Sequence, residues 1–276
     1  MTFKLRTLVF MFIIAMATMA PVCVLSGGDS STYSSSTELS SGALVEVIGE
    51  NAEVKIRRSA SSSLELIITR HNEEFVDFYT QSLAGDPSRH FIISATTSTG
   101  GSTTANSVIE LSVPVGTQLA VRTTNRPITI DSVALTSATV TTNDGEISVT
   151  NSSGDFELST TNSEVTVQDV DGYVNLATTN AHVWFEGIVD EGSNSISTTN
   201  GDVSLRLQNG SNVDISGNTH NGDVTINGGD EGVTKDGDKA TLEHLVQNGN
   251  ATLNITTGPG AIHINPASIA VFDGDS

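Results

Sequence analysis

Thr198-Thr199-Asn200-Gly201-Asp202-Val203-Ser204-Leu205 and Thr178-Thr179-Asn180-Ala181-His182-Val183-Trp184-Phe185 are two copies of one phrase. Other copies start at Thr123, Thr141 and Thr160, and a degenerate one, Thr219-His220-Asn221, leads into Gly222, Val224 and Ile226. The first threonines lie 18, 19, 18, 20 and 21 residues apart. A short fixed period specifies stacking, because one repeat alone cannot bury its apolar face. Each period divides in two, as with Val165 and Val167 followed by Val174 and Leu176. Alternation with period two is the mark of a strand with one buried face. The unit therefore reads as two short strands separated by Gly, Asn or Asp turns.

The expected architecture is all-β: a single-stranded parallel β-helix or β-solenoid with about 18–20 residues per coil. Equivalent residues would then stack roughly 4.8 Å apart, so asparagine side chains can hydrogen-bond along a ladder. Gly145, Gly201 and Gly222 follow the asparagine where a turn is expected to need positive φ. An antiparallel sandwich of hairpins is the alternative, whereas propeller blades need periods of about 40–50 residues. Val183 and Phe185 share one strand face, which makes Phe185 a core residue and places Trp184 outside.

Four segments follow. Residues 1–22 combine Lys4 and Arg6 with the apolar run Leu8 to Ala20, the order of charge and apolarity in a secretory signal; an N-terminal membrane anchor is the other reading. Cys23 follows directly and invites lipidation, although Pro21 and Val22 stand where a bacterial lipobox carries small residues. Residues 23–42, rich in Ser, Thr and Gly, read as a disordered tether. Residues 43–116 form a non-repetitive β region and an atypical N-terminal cap. Within it, Glu73 to Leu83 breaks the alternation and reads as a short helix or irregular loop, with Phe75, Phe78 and Tyr79 as local core. Residues 117–276 hold the repeats and their closure. There, Asn227 to Ala240 reads as an insertion, and Thr256-Thr257-Gly258-Pro259-Gly260 continues the stack after one disturbed coil.

Composition narrows the function. The chain of 276 residues carries 12 Lys and Arg against 32 Asp and Glu, a formal charge of −20. That charge repels phosphate and excludes nucleic acid as a partner. One cysteine allows no internal disulfide. Asp144, Asp155, Asp171, Asp202 and Asp223 sit beside turn glycines, but without the Gly-Gly-x-Gly-x-Asp repeat of calcium-binding β-rolls they read as turn formers. The six histidines (His71, His90, His182, His220, His244 and His263) make no zinc-binding spacing. Arg122, Arg126 and Arg206 form no recognisable cluster with acids, and no nucleophile elbow or phosphate loop occurs. The reading assigns no catalytic, cofactor-binding or metal-ligating residue and no cofactor.

Two stretches, Thr199-Asn200-Gly201-Asp202-Val203-Ser204-Leu205 and Asn221-Gly222-Asp223-Val224-Thr225-Ile226, together with Ile109-Glu110-Leu111-Ser112-Val113-Pro114-Val115-Gly116, resemble the DUF4097 group. These β-strand-repeat proteins are also described as adhesin-like or toastrack domains. The resemblance spans about residues 43–265 and implies a surface or envelope protein with no catalytic residues to carry over. Asn125-Arg126-Pro127 and Asn180-Ala181-His182 depart from it by lacking the glycine. The expectation is a non-enzymatic secreted or cell-surface scaffold or binding module for a cell-surface protein or polysaccharide. Membrane tethering would run through the N-terminus or a lipidated Cys23. A secreted carbohydrate-active β-helix enzyme and a homo-oligomerising envelope protein are the alternatives.

Overall fold

The computed structural model describes residues 25–26, 30–72, 74, 76–82, 88–97, 105–226, 232–246 and 250–266. The expected signal at 1–22, Cys23, Phe75 and the segment 227–231 lie outside the described residues.

The described chain is all-β. The first strands are β1 (Leu25–Ser26), β2 (Ser30–Glu38), β3 (Leu44–Gly49), β4 (Ala52–Arg58), β5 (Ser63–His71), β6 (Val76–Ser82), β7 (His90–Thr97) and β8 (Asn106–Val113). The middle holds β9 (Thr117–Arg122), β10 (Ile128–Asp131), β11 (Ala134–Thr141), β12 (Ile147–Ser159), β13 (Val165–Gly172), β14 (Val174–Thr178), β15 (Val183–Val189), β16 (Ser193–Thr198) and β17 (Val203–Leu207). Last come β18 (Val213–His220), β19 (Val224–Ile226), β20 (Val233–Asp236), β21 (Lys239–Val246), β22 (Ala251–Thr257) and β23 (Ile262–Pro266).

Pairing arranges these strands into two ladders. One runs β1-β2-β5-β8-β4-β10-β12-β13-β15-β17-β23-β19. The other runs β6-β7-β3-β9-β11-β12-β14-β16-β22-β18-β21-β20. The long strand β12 passes through both and joins them. Interior pairs are parallel, and antiparallel pairs occur only toward the ends, where β1, β2, β5 and β6 lie at one end and β20 and β21 at the other.

The register explains the repeat. Ile128, Ile147, Val165, Val183 and Val203 are successive partners, 18 to 20 residues apart, and all are buried. Inward positions from the two ladders, including Phe156, Phe185, Leu158 and Leu176, form one core. Period-two alternation sends every second side chain there, so each rung adds a layer of aliphatic contact to the one before.

Three expectations change. Ser30–Glu38 belongs to no disordered tether: it pairs antiparallel with β5 from Ser30↔His71 to Glu38↔Ser63. A polar strand suffices here, because it covers the edge of a sheet that already has a core; only Ser31 is fully buried and Tyr33 packs on the core. Residues 76–82, read as helix or loop, form the strand β6, with Phe78 packed on the core and Tyr79 53% exposed. The Tyr33 and Phe78 rings meet at a tilt of 49° with centroids 4.9 Å apart, and Arg70 lies 5.0 Å over the Phe78 ring, tying the two ladders together at that end.

The third change is the order of the rungs. Val203 does not pair with Val224. Ile262 lies between them, paired with both. The segment 251–266 is inserted between the rung at 193–207 and the rung at 213–226. The opposite end repeats the arrangement: β3 and β4 lie between β7 and β8 on one side and β9 and β10 on the other. Each end of the stack thus holds a rung that is out of chain order.

Candidate functional site

From β10 to β19 in the first ladder, the corner before each strand is built on a threonine five residues upstream of the first core residue. Thr123, Thr142, Thr160, Thr178, Thr198, Thr257 and Thr219 occupy this place in spatial order, and all are buried. Thr160 donates to Gly145 O at 3.2 Å, Thr178 to Ser163 O at 3.0 Å, Thr198 to Ala181 O at 2.9 Å, Thr257 to Gly201 O at 2.8 Å and Thr219 to Gly260 O at 2.7 Å. Each hydroxyl satisfies a turn carbonyl of its neighbour, which a buried carbonyl requires. The structurally equivalent residue in the second copy is therefore Thr142, not Thr141. The frame read from Thr141-Thr142-Asn143 slips by one residue.

With the frame corrected, Asp144 joins the asparagine column. Asn162 Nδ2 donates to Asp144 Oδ1 at 2.6 Å, Asn180 Nδ2 to Asn162 Oδ1 at 2.7 Å and Asn200 Nδ2 to Asn180 Oδ1 at 2.8 Å. With its amide nitrogen facing the acceptors, Asn125 donates to Asp144 Oδ2 at 3.1 Å and to Thr124 O at 3.2 Å. The expected ladder is present, on the exposed corner. It stops after Asn200, where the next rung offers Pro259. The following glycine position works differently from the expectation. Gly145, Gly201 and Gly222 are not among the residues with positive φ. A Cβ on Gly201 would lie 1.7 Å from Ala181 O, so it is close approach of neighbouring turns that requires glycine.

Beyond this corner lies the outer side of the first ladder. Thr129, Ser148, Thr166, Trp184, Ser204, His263 and Thr225 follow one another across seven strands. Phe185 is fully buried, as expected, and Trp184 is half-buried on the outside between Thr166 and Ser204. The indole Nε1 is shielded from solvent and has no hydrogen-bond partner. Beside it Glu186 pairs with Arg206 at 3.1 Å, and Glu164 accepts from Thr166 at 3.2 Å.

Two of the turn aspartates bond locally. Asp202 Oδ1 accepts the Ala261 N–H at 2.7 Å, and Asp223 pairs with Lys235 at 2.8 Å. The Lys235 ammonium holds the Asp223 carboxyl below its ordinary range. Hydrogen bonds from Thr150, Asn151 and Ser132 hold Asp131 low, whereas partial burial, with the Asp190 charge second, raises Asp171. Among the described residues, no three His, Cys, Asp or Glu side chains gather as they would around a metal ion. Arg126 donates to Asn51 Oδ1 at 3.2 Å and His90 lies 3.3 Å from Glu46.

Sequence reading missed Asn194. It occupies an inward position between Val174 and Leu253, where alternation calls for an apolar residue, and it is fully buried. Its Oδ1 accepts the Val174 N–H at 2.8 Å, and its Nδ2 donates to Asp190 O at 3.0 Å and Thr252 O at 3.2 Å. The only signal was a polar residue in phase with the core.

Residues 103–265 match the family model described as Toastrack DUF4097. The chain belongs to the Toastrack DUF4097 family. The matched segment of this toastrack protein contains every rung from β9 onward. No curated protein matches the sequence. Among solved structures, a candidate cell adhesion protein from Clostridium sporogenes ATCC 15579 is similar at 13% identity and a TM-score of 0.43, over 86% of this chain and 100% of that one. A candidate adhesin from Bacteroides fragilis NCTC 9343 is similar at 7% identity and a TM-score of 0.40, over 86% and 97%. A candidate lipid binding protein from Parabacteroides distasonis ATCC 8503 is similar at 11% identity and a TM-score of 0.30, over 86% and 97%.

Proposed function

We propose that this toastrack protein is a non-enzymatic scaffold that works outside the cytoplasm and presents the outer side of a single-stranded parallel β-solenoid to a surface polysaccharide or protein. The observation that carries this reading is the continuous row from Thr129 to Thr225 with Trp184 in it. Identical spacing from rung to rung suits a partner that itself repeats, because each contact can be made again one strand further on. An aromatic ring flanked by hydroxyls and carboxylates suits a sugar, whose C–H face lies on the indole while its hydroxyls bond the rim. Residues 1–22 direct export, and Cys23 offers the site for a lipid tether.

Trp184 is the single tryptophan of the chain, so its emission reports on this face alone. Titration of the full chain with polysaccharide and protein fractions from the host surface should shift that emission. Trp184→Ala should lose retention on the same fraction with its circular dichroism unchanged. Unchanged emission together with equal retention of the variant would remove this face from the function.

A further inference from the structure

The rung out of chain order at the C-terminal end separates two rungs that are consecutive in the chain. Its two neighbours fit each other. Thr219 stands five residues before Val224, as Thr198 stands five before Val203. Direct stacking of 213–226 on 193–207 would set Val224 beside Val203 and Ile226 beside Leu205, with apolar positions still facing inward. The step of 21 residues between Thr198 and Thr219 is close to the 20 between Thr178 and Thr198. The slot that holds 251–266 therefore has two in-register arrangements, one filled and one closed. Among the described strands β19 pairs only with β23, and β18 only with β22 and β21. Departure of the inserted rung leaves the stack through 207 with its other pairings intact.

We propose that β22 and β23 are an exchangeable rung, through which two copies of this chain couple by placing the segment of one in the slot of the other. Exchange of an identical element keeps every native contact, so the balance depends on the connecting chain and on concentration rather than on new surface. The occupant is defined by the slot. A Cβ on Gly260 would lie 1.7 Å from Gly201 O, and one on Gly222 1.9 Å from Gly260 O. An incoming strand pair must bring glycine at this place, a threonine three residues earlier to donate to Gly201 O, and apolar residues in the phase of Leu253, Ile255, Ile262 and Ile264. Within the described residues, 251–266 is the segment already seated there, and a second copy supplies it unchanged. This inference is independent of what the outer row binds.

Ser197 and Thr256 are register partners on β16 and β22, both on the outside. Neighbouring positions of this kind lie within reach of a disulfide. Full-length chains with Cys23→Ser would carry Ser197→Cys or Thr256→Cys, each with a different tag, and would be mixed, co-refolded and oxidised. A disulfide-linked heterodimer carrying both tags is expected, lost on reduction. The double variant in one chain should also close an internal disulfide in its monomer fraction. Absence of the heterodimer while the double variant closes internally would show a rung held permanently in its own chain, overturning the proposal. Failure of the double variant to close at all would overturn the register on which it rests. Equal yield from Ser159→Cys mixed with Ala177→Cys, interior register partners, would reduce the result to random collision and overturn it too.

Discussion

Asn194 supplies the acceptor for the buried N–H of Val174, 2.8 Å away on the neighbouring strand. A polar side chain in an aliphatic column costs stability unless all its groups are bonded, and here the amide nitrogen also reaches two carbonyls of the turn around 190–192 and one of β22. Asn194→Leu restores the apolar pattern yet strands the Val174 N–H. It should destabilise by about 1–3 kcal/mol, the cost of an unsatisfied buried donor. Urea unfolding of the variant beside Ser195→Ala measures it; a gain in stability would refute the assignment.

The corner separates buried from exposed hydrogen bonds. Thr178→Val removes one buried donor to Ser163 O and should cost about 1–2 kcal/mol. Asn180→Ala removes two ladder bonds, to Asn162 and from Asn200, but water replaces both. Its cost should stay below about 1 kcal/mol despite the larger number of bonds lost. Denaturant midpoints of the two variants decide the order, and the reverse order would show the exposed ladder to be the stronger element.

Close approach and backbone strain predict different penalties at two glycines. Gly201→Ala drives a methyl against Ala181 O and should cost about 3 kcal/mol or more, at the upper end of overpacking. Gly42 has φ of +74° with open space around it, so Gly42→Ala meets only the left-handed backbone penalty of about 1 kcal/mol. Thermal melts of both variants separate the two causes; equal losses would mean that the turns at 181 and 201 can move apart.

Two aspartates give opposite pH signatures. Asp131 is held low by its three hydrogen-bond donors, so its contribution is present above the ordinary carboxylate pKa and disappears as pH falls through the lowered folded value. Asp131→Asn should therefore lower the melting temperature at neutral pH, with the difference shrinking toward about pH 3. Asp171 is raised by burial and by Asp190, so its ionised form opposes folding above the raised pKa and the penalty vanishes in acid. Asp171→Asn should raise the melting temperature at neutral pH and converge with the parent in acid. Melting curves across this range that moved in the same direction for both would contradict the local geometry.

Much of this was legible in the chain. Alternation at Val165, Val167, Val174 and Leu176 places the core, and the recurring asparagines place the ladder. The order of rungs was not legible. A repeat states that 198–207 and 219–226 share a shape, but it carries no information about which copy lies beside which. The frame slipped at Thr141-Thr142 because both threonines precede Asn143 in the phrase, whereas only Thr142 stands five residues before Ile147 and is buried. Ser30–Glu38 looked unstructured because a strand that covers an existing edge needs backbone hydrogen bonds more than apolar side chains. Trp184 was placed correctly on the outside by its phase with Phe185, whereas its shielded Nε1 depends on neighbours that lie one strand away.

The out-of-order rung also sets how the two ends respond to force. Tension applied beyond Pro266 reaches β23 first, and β23 is hydrogen-bonded to β17 on one side and β19 on the other. Two rows of bonds must shear together before that end yields. Tension applied before Leu25 reaches β1 and then β2, whose neighbours are β5 and the two-residue β1, so that end peels strand by strand. A chain anchored by its N-terminus would thus lengthen from the anchored side under load, while the far end kept its grip.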